Sequence, residues 1–456
     1  MSLMVYSTIM FLAAAVYPAF AETSIRDEDQ ALGKRFAIAP DSLPKPKPEQ
    51  AVSNPPVLVE RGSRQPNVPE GFAMTLFAEK LDHPRQLLVL PNGDVLLAEQ
   101  QANHVLLLRD ADNDGHAEFV QLFASGFKQP YGLAYRDGEV LVADQDGIWT
   151  VKYREGEVRA DAGYKPKSAA ELPEEERGPK QPMDHQPLTA KGVFGGPGGH
   201  GTRSLAIDPK DGTLHVGVGS TGNLGEEPLP RASIQAFDHD GSKQRTVASG
   251  MRNPVGVNFH PETGELWTVV QERDGLGDKL VPDYMTRVQQ GGFYGWPYAY
   301  IGQNPQPGFA ERAPEKVRQT IVPDLLFEAH SSTMDFAFYA GDQFPEEYRG
   351  DAFVALKGSW NRTEPSGYKV VRVKFENGKP AGWYENFITG FWVGGEKKAE
   401  VWGRPADVAV AKDGSLLIAD DTGGTIWRVS HQGEAQEAQK SSQREPEPSE
   451  PAKPGG

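Results

Sequence analysis

Six times between residues 84 and 420 the chain repeats one local pattern: an alternating strand, a turn, and a second strand of small and β-branched residues. Gln86-Leu87-Leu88-Val89 leads through Asn92-Gly93 to Val95-Leu96-Leu97-Ala98-Glu99, and Gly132-Leu133-Ala134-Tyr135 through Asp137-Gly138 to Val140-Leu141-Val142-Ala143-Asp144. Ser204-Leu205-Ala206-Ile207 leads through Asp211-Gly212 to Leu214-His215-Val216-Gly217, and Gly256-Val257-Asn258-Phe259 through Thr263-Gly264 to Leu266-Trp267-Thr268-Val269. Asp335-Phe336-Ala337-Phe338 reaches Ala352-Phe353-Val354-Ala355 after a longer turn, and Asp407-Val408-Ala409-Val410 passes Asp413-Gly414 to Leu416-Leu417-Ile418-Ala419-Asp420. Asp-Gly and Asn-Gly between alternating strands are strong hairpin signals, because a type I′ turn needs positive φ at both central residues. The repeats are spaced unevenly, by roughly 45 to 80 residues, with no useful helix-period segment between them. Many short antiparallel sheets protect their edges best when set radially. The expected fold is therefore all-β, a six-bladed β-propeller over residues 67–432.

Composition agrees with many turns around a real core: 456 residues with 50 Gly, 37 Pro and 9% aromatic side chains. A net charge of −16 disfavours nucleic-acid binding, which needs a basic face to displace counterions. Residues 1–21 read as a secretory signal: an apolar run from Ile9 to Tyr17 precedes Ala19-Phe20-Ala21, a small-x-small pattern before Glu22. The alternative is an uncleaved anchor, for which roughly 16 apolar residues fall short of the ~20 a span needs. Cleavage would leave no stable membrane insertion and a periplasmic or secreted protein, and the lack of cysteine fits an exported chain that relies on its core. Residues 22–66 read as a Pro-rich linker wrapped on or trailing from the domain, and 433–456 as a disordered tail. The charged, Pro-interrupted stretch 166–186 reads as a long surface loop.

Ligands of such a fold bind where equivalent loops converge, so the informative positions are those just before each repeat's first strand. They are His83, Gln129, His200, Arg252 with Asn253, His330 and Arg404, and Lys357 follows the fifth repeat's second strand. One polar residue before a strand is ordinary turn chemistry. A shared phase across the repeats points instead to a common pocket. Concentrated cations (Arg252, Arg404, Lys357) in an acidic chain imply an anionic ligand, since arginine forks grip carboxylates. His200 lies in Gly195-Gly196-Pro197-Gly198-Gly199-His200-Gly201, and its pKa should be lowered by those cations, leaving it neutral and able to act as a base.

After the fourth repeat, Gln271-Glu272-Arg273-Asp274-Gly275-Leu276-Gly277-Asp278 sets carboxylates on a glycine-broken loop suited to a hard cation such as calcium. Gly291-Gly292-Phe293-Tyr294-Gly295-Trp296-Pro297 follows. Asp110-Ala111-Asp112-Asn113-Asp114-Gly115 mimics the start of a calcium loop, but its twelfth position is Gln121 and no flanking helices are expected, so it reads as a turn between outer strands.

At Gly250-Met251-Arg252-Asn253-Pro254-Val255-Gly256, at the Gly291–Pro297 motif and at the His200 loop, the chain resembles the soluble quinoprotein sugar dehydrogenases, most closely their L-sorbosone dehydrogenase branch. The resemblance covers about residues 68–430. It implies a six-bladed propeller carrying pyrroloquinoline quinone (PQQ) and calcium. It makes His200 the general base, Arg252 and Asn253 neighbours of the quinone carbonyls, and Gln129 a glutamine near the base. Lys357 and Arg404 match cations that hold PQQ carboxylates. For calcium, Asp278 matches the side-chain ligand and Tyr294 a nearby backbone carbonyl, with Asp274 in the adjoining loop. Three positions depart from the family. The aspartate before the base is Gly199, so His200 needs another acid or backbone to orient it. The second arginine of an Arg-x-Arg pair falls on Ala406, and the Gly-Pro calcium ligands become Arg273-Asp274.

The expected activity is PQQ- and calcium-dependent oxidation of an aldose or sorbosone-like aldehyde or hemiacetal, with electrons passing to a periplasmic acceptor. The alternatives are a calcium-dependent six-bladed lactonase-type hydrolase, which would need inward carboxylates on a central metal, and a non-catalytic propeller that binds glycan or protein.

Overall fold

A computed structural model describes residues 27–156 and 185–432. The signal, the tail and most of the 166–186 stretch lie outside the described residues. Its last part is not a loop: His185–Pro187 is a strand paired with Ile148–Lys152. No helix among the described residues is long and apolar enough to cross a membrane.

The fold is all-β. Each of the six hairpins forms the first two strands of a sheet of four antiparallel strands, to which Gly292–Phe293 adds a parallel fifth in the third sheet and Arg35–Phe36 an antiparallel fifth in the fifth. Pro84–Val89, Val95–Glu99, His104–Arg109 and Phe119–Ser125 make the first, and Gly132–Arg136, Glu139–Ala143, Ile148–Lys152 and His185–Pro187 the second. Leu205–Ile207, Leu214–Val218, Ser233–Phe237 and Arg245–Ser249 make the third, and Asn253–Phe259, Leu266–Gln271, Pro282–Arg287 and Leu325–Ala329 the fourth. Thr333–Phe338, Ala352–Leu356, Lys369–Glu376 and Lys379–Ile388 make the fifth. The sixth joins Pro405–Val410, Leu416–Asp420 and Thr425–His431 to Phe72–Glu79 from the other end of the domain.

Strand periodicity explains how the sheets pack. Successive side chains point to opposite faces, so Val95 and Leu97 pack with Leu417 and Ile426 of the sixth sheet while Leu96 and Ala98 pack with Leu133 and Val142 of the second. The same division gives a separate apolar layer between every two consecutive sheets. The first strands touch in cyclic order, first sheet to sixth and back to first. The axis they surround is polar. Gln86 accepts from Leu133 N (2.7 Å) and donates to Asp335 Oδ2 (3.2 Å), while Asp407 Oδ2 accepts from Leu87 N (2.6 Å).

One local expectation needs correction. Among the six repeat turns only Asp137-Gly138 is a two-residue turn with positive φ at both positions (45° and 80°), joining Arg136 to Glu139. The other Gly-bearing turns are longer and are held by side chains, as where Asp211 and Asp413 accept from Thr213 N and Ser415 N. In the 22–66 stretch, the described part is wrapped on the domain: Arg35–Phe36 adds an edge to the fifth sheet, Val57–Leu58 pairs with Glu400–Val401, and Lys47 N donates to Leu276 O (2.9 Å).

Candidate active site

Antiparallel register sets the site. The start of each first strand lies opposite the end of the second, as in Pro84 with Glu99, Asn253 with Gln271, Thr333 with Leu356 and Pro405 with Asp420. Loops leading into first strands therefore share one end of the molecule with residues leaving second strands. Three of the leading residues, His83, Gln129 and His330, are non-glycine residues in the left-handed region (φ 52°, 53° and 64°), a conformation costing about 1–3 kcal/mol that concentrates at functional sites.

His200 is half-buried. Its Nδ1 lies 2.8 Å from Ser220 O and 3.2 Å from Ser220 Oγ. A carbonyl only accepts, so Nδ1 carries the proton and Nε2 the lone pair. Nε2 has no protein partner among the described residues. Burial first, and the Arg252 charge second, hold the imidazole down from 6.5 to about 4, so it is neutral. The imidazole is neutral, as expected, but desolvation outranks the cations as the cause. Gly199 (φ 72°) is required here: a Cβ would meet the Thr221 Cα and come within 2.5 Å of Ser220 O. The backbone carbonyl occupies the space that an acidic neighbour would need.

Beside the histidine, Ser220 N donates to Arg252 O (2.8 Å). The Arg252 guanidinium reaches Glu272 O (2.9 Å), Asn223 O (3.3 Å) and Asp274 Oδ2 (3.5 Å). Asp274 Oδ1 accepts from Asn361 Nδ2 (2.7 Å) and lies 3.2 Å from His330 Nδ1. Burial would raise the Asp274 carboxyl, but His330 and Arg252 outweigh it and keep it ionised. His330 is also bound at Nε2, 3.1 Å from Gly277 O, so both its nitrogens are committed, unlike those of His200. Asn253 Nδ2 donates to Gln271 Oε1 (3.1 Å), and Gln271 in turn holds Thr333 O (2.9 Å).

A second group gathers Lys357, Arg404 and Arg85 at Asp421. Lys357 Nζ and Arg85 Nη1 (3.0 Å) both pair with Asp421 Oδ2, and Arg404 donates to Lys357 O (3.1 Å) and Gly358 O (2.8 Å). Burial pushes the Lys357 amine down to about 8, with Arg85 adding to the effect. Arg85 Nε is buried without a partner. Three cations thus face one adjacent carboxylate. Gln129, exposed, accepts from Gln145 Nε2, and Gln100 Nε2 donates to Gly201 O (3.3 Å), placing three glutamine side chains beside the residue after His200.

The other expected residues have partners of their own. His83 is exposed and pairs with its neighbour Asp82 (2.7 Å). Asp278 accepts from Thr363 N (3.1 Å) and Oγ1. The Tyr294 ring is buried in the layer between third and fourth sheets, with its hydroxyl donating to Arg287 O (2.5 Å). From that motif it is Trp296 that touches the site, donating from Nε1 to Asn223 O (3.1 Å). The loop at Asp110 does join outer strands, and the carboxylates of Asp110, Asp112, Asp114 and Glu118 converge there at the periphery. Sequence reasoning missed Ser220, Asn223, Asp421 and Arg85. The first three lie just beyond second strands, where only the register gives them meaning. Arg85 stands at the position after a leading Pro that Ala406 holds in the sixth repeat, and a scan of that position would have found it.

The fold and site define a class: an all-β protein whose cationic end holds a neutral histidine. A TrAA12-like family profile matches residues 303–432. An uncharacterized protein of Borreliella burgdorferi is 27% identical, with 80% of this chain and 90% of that protein covered. The pyrroloquinoline quinone-dependent pyranose dehydrogenase of Coprinopsis cinerea is 26% identical over 50% of this chain, which spans only 39% of that relative's length. The holo PQQ domain of pyranose dehydrogenase from Coprinopsis cinerea superposes with a TM-score of 0.62 at 20% identity, covering 82% of this chain and 99% of that one. The calcium structure of the Trichoderma reesei family AA12 enzyme gives 0.62 at 19% identity, covering 83% and 98%. The chain is thus similar to a PQQ-dependent pyranose dehydrogenase and to AA12 enzymes, the same kind of protein that its motifs resemble.

Proposed function

We propose that the chain is an exported six-bladed β-propeller dehydrogenase, dependent on PQQ and calcium, that oxidises an aldose or sorbosone-like hemiacetal. The observation carrying this reading is the pairing of a neutral histidine, its Nε2 unengaged, with a cation cluster at the same end of the fold. Arg85, Lys357 and Arg404 suit a multiply carboxylated ligand: they hold one counter-ion among them, and a buried donor, Arg85 Nε, has no partner. Arg252 and Asn253 would flank the quinone carbonyls. Oxygen donors suit calcium. Asp274 is ionised, and the Oδ1 of Asn361 beside it and the Oε1 of Glu272 are buried without partners. Asp274 is the proposed anchor, with Asp278 and the backbone carbonyl of Tyr294 as further ligands.

PQQ, when bound, supplies the two-electron acceptor that conversion of a hemiacetal to a lactone requires. The protein's part is positional and acid–base. Ser220 O fixes the His200 tautomer, His200 Nε2 takes the sugar hydroxyl proton, and Gln129 with its neighbours orients the sugar beside Gly201. Electrons then leave to a periplasmic acceptor.

Reconstitution tests this. Apo-protein loaded with PQQ and calcium should develop a bound-quinone spectrum and reduce dye with a member of a sugar panel. No quinone spectrum and no dye reduction overturns the proposal; lactone hydrolysis without PQQ would favour the hydrolase, and glycan binding without turnover the non-catalytic propeller.

A further inference from the structure

Arg203 is fully enclosed, yet no carboxylate stands at ion-pair distance from it among the described residues. Its guanidinium lies 5.6 Å from the centre of the Phe194 ring, itself buried. The charge of Asp144 reaches it from further off, but that carboxylate is spent on the amides of Lys128, Asp146 and Gly147. Burial, with the Arg231 charge adding to it, brings the guanidinium down to about 9, so it is still a cation at neutral pH. Burying a charge without a counter-ion is costly, and methionine of similar volume would avoid the cost.

What the charge holds is main chain. Arg203 Nη1 carries two protons, and they go to His200 O (2.7 Å) and Thr202 O (2.6 Å). Arg231, also buried, holds the start of the same loop through Gly196 O (2.6 Å) and Gly195 O (3.4 Å), and reaches Gly219 O (3.4 Å) beside Ser220. The loop has little with which to hold itself. Five of the seven residues from Gly195 to Gly201 are glycine, with no side chain to pack and the most backbone freedom to lose. His200 is nevertheless tied at three points. Its N–H (3.0 Å) and Nδ1 (2.8 Å) both meet Ser220 O, and its own carbonyl is gripped by Arg203. The first two bonds share one acceptor, so the residue could pivot about that oxygen; the third lies across the next peptide and stops the pivot. Arginine suits the task, because its bonds to carbonyls are charge-assisted and its fork is rigid.

We infer that Arg203 is the positioning residue of the candidate base: it clamps the His200 carbonyl and thereby sets the direction in which Nε2 points. The inference rests on the reading of His200 as the base of a PQQ-dependent dehydrogenase. Wild type, Arg203→Met and Arg203→Lys, loaded with PQQ and calcium, are compared. Imidazole ¹⁵N NMR reads the His200 tautomer, with the signal assigned by its loss in His200→Ala. Dye reduction reads kcat and KM for a sugar that wild type oxidises, and quinone absorbance reads occupancy. Wild type should show one tautomer, with the proton on Nδ1. Arg203→Met should mix the tautomers and lower kcat about tenfold to a hundredfold, with KM within about threefold and quinone occupancy unchanged. Its Tm should stay within about 5 °C, because the two lost bonds are offset by removal of an uncompensated buried charge. Arg203→Lys, one atom shorter, should fall between the two, and it carries the test alone if Arg203→Met does not fold. A single tautomer with unchanged kcat in the variants overturns the inference. So does a large loss of Tm with the tautomer intact, which would make Arg203 a support of the fold and nothing more. Mixed tautomers in a protein that oxidises no sugar keep Arg203 as the residue that positions His200 and remove the dehydrogenase; oxidation indifferent to Arg203 does the reverse.

Discussion

The Nδ1 of His200 sits 2.8 Å from the carbonyl oxygen of Ser220, so a main-chain group fixes the tautomer of the ring. The ring is oriented without an acidic partner, and burial beside Arg252 keeps it neutral down to about pH 4. His200→Ala should cut turnover by about 10²- to 10⁴-fold while leaving PQQ bound, measured by dye reduction and quinone absorbance. The acid limb of kcat/KM should fall near pH 4, well below the ordinary 6.5 of histidine. A folded pKa below the unfolded one means the unfolded chain binds more protons between these values. The contribution of His200 to stability is therefore complete above 6.5 and lost as pH falls toward 4, and His200→Ala should flatten that part of the Tm profile.

Gly199→Asp should be damaging, although the resembled family carries aspartate at this place. The new Cβ would strike the Ser220–Thr221 backbone, a clash that the tolerance of aspartate for the left-handed region does not relieve. Displacing Ser220 O releases Nδ1, so kcat should fall about tenfold or more along with Tm. A variant with unchanged kcat would show that Ser220 does not orient the base.

Arg85→Gln should weaken PQQ binding by about tenfold to a hundredfold, the range for a lost hydrogen bond to a charged group. Asp421→Asn acts in the opposite sense on the empty protein. It leaves Arg85 and Lys357 without their shared counter-ion, which should cost about 3 kcal/mol and lower Tm by several degrees. Added PQQ should recover more Tm in Asp421→Asn than in wild type, as differential scanning fluorimetry would measure.

Asp335 and Asp407, buried on the axis, are both pushed up by desolvation, and Asp335 adds to the shift at Asp407. With folded values above unfolded ones, their stabilising contribution is complete below about pH 4 and drains away as pH rises through the folded values. Asp335→Asn removes one ionisation, so the Tm difference between variant and wild type should move in the variant's favour from pH 5 to pH 8. A constant difference would mean that the pair does not share this burden.

The hairpins were legible because alternation survives where strands are short and turns carry Asp-Gly or Asn-Gly, as at Gly132–Arg136 and Glu139–Ala143. The outer strands were not. Pro282–Arg287 has no clean alternation, since both its faces are buried, and Phe72–Glu79 finds its partner some three hundred residues later. In the candidate site, the shared phase pointed to Gln129, His200, Arg252 and Arg404, and the end of the fifth repeat's second strand to Lys357. Their partners Ser220, Asn223 and Asp421 are ordinary turn residues until the register sets them opposite those loops. Arg85 gives no phase signal of its own, because the leading polar position of its repeat is His83, two residues earlier and turned to solvent.

Phe72–Glu79 and Thr425–His431 meet edge to edge in the sixth sheet, and Leu81 N bonds to Gly424 O beside them. The earliest strand of this sheet pairs only with the latest. Without Thr425–His431, Leu416–Asp420 lacks its outer neighbour, and the first two strands of this sheet carry Arg404 and Asp421 at their ends. The two ends of the domain must therefore meet before the sheet beneath these two residues is complete. Loss of the final strand would leave the other five sheets their strands and unseat Arg404 and Asp421 alone.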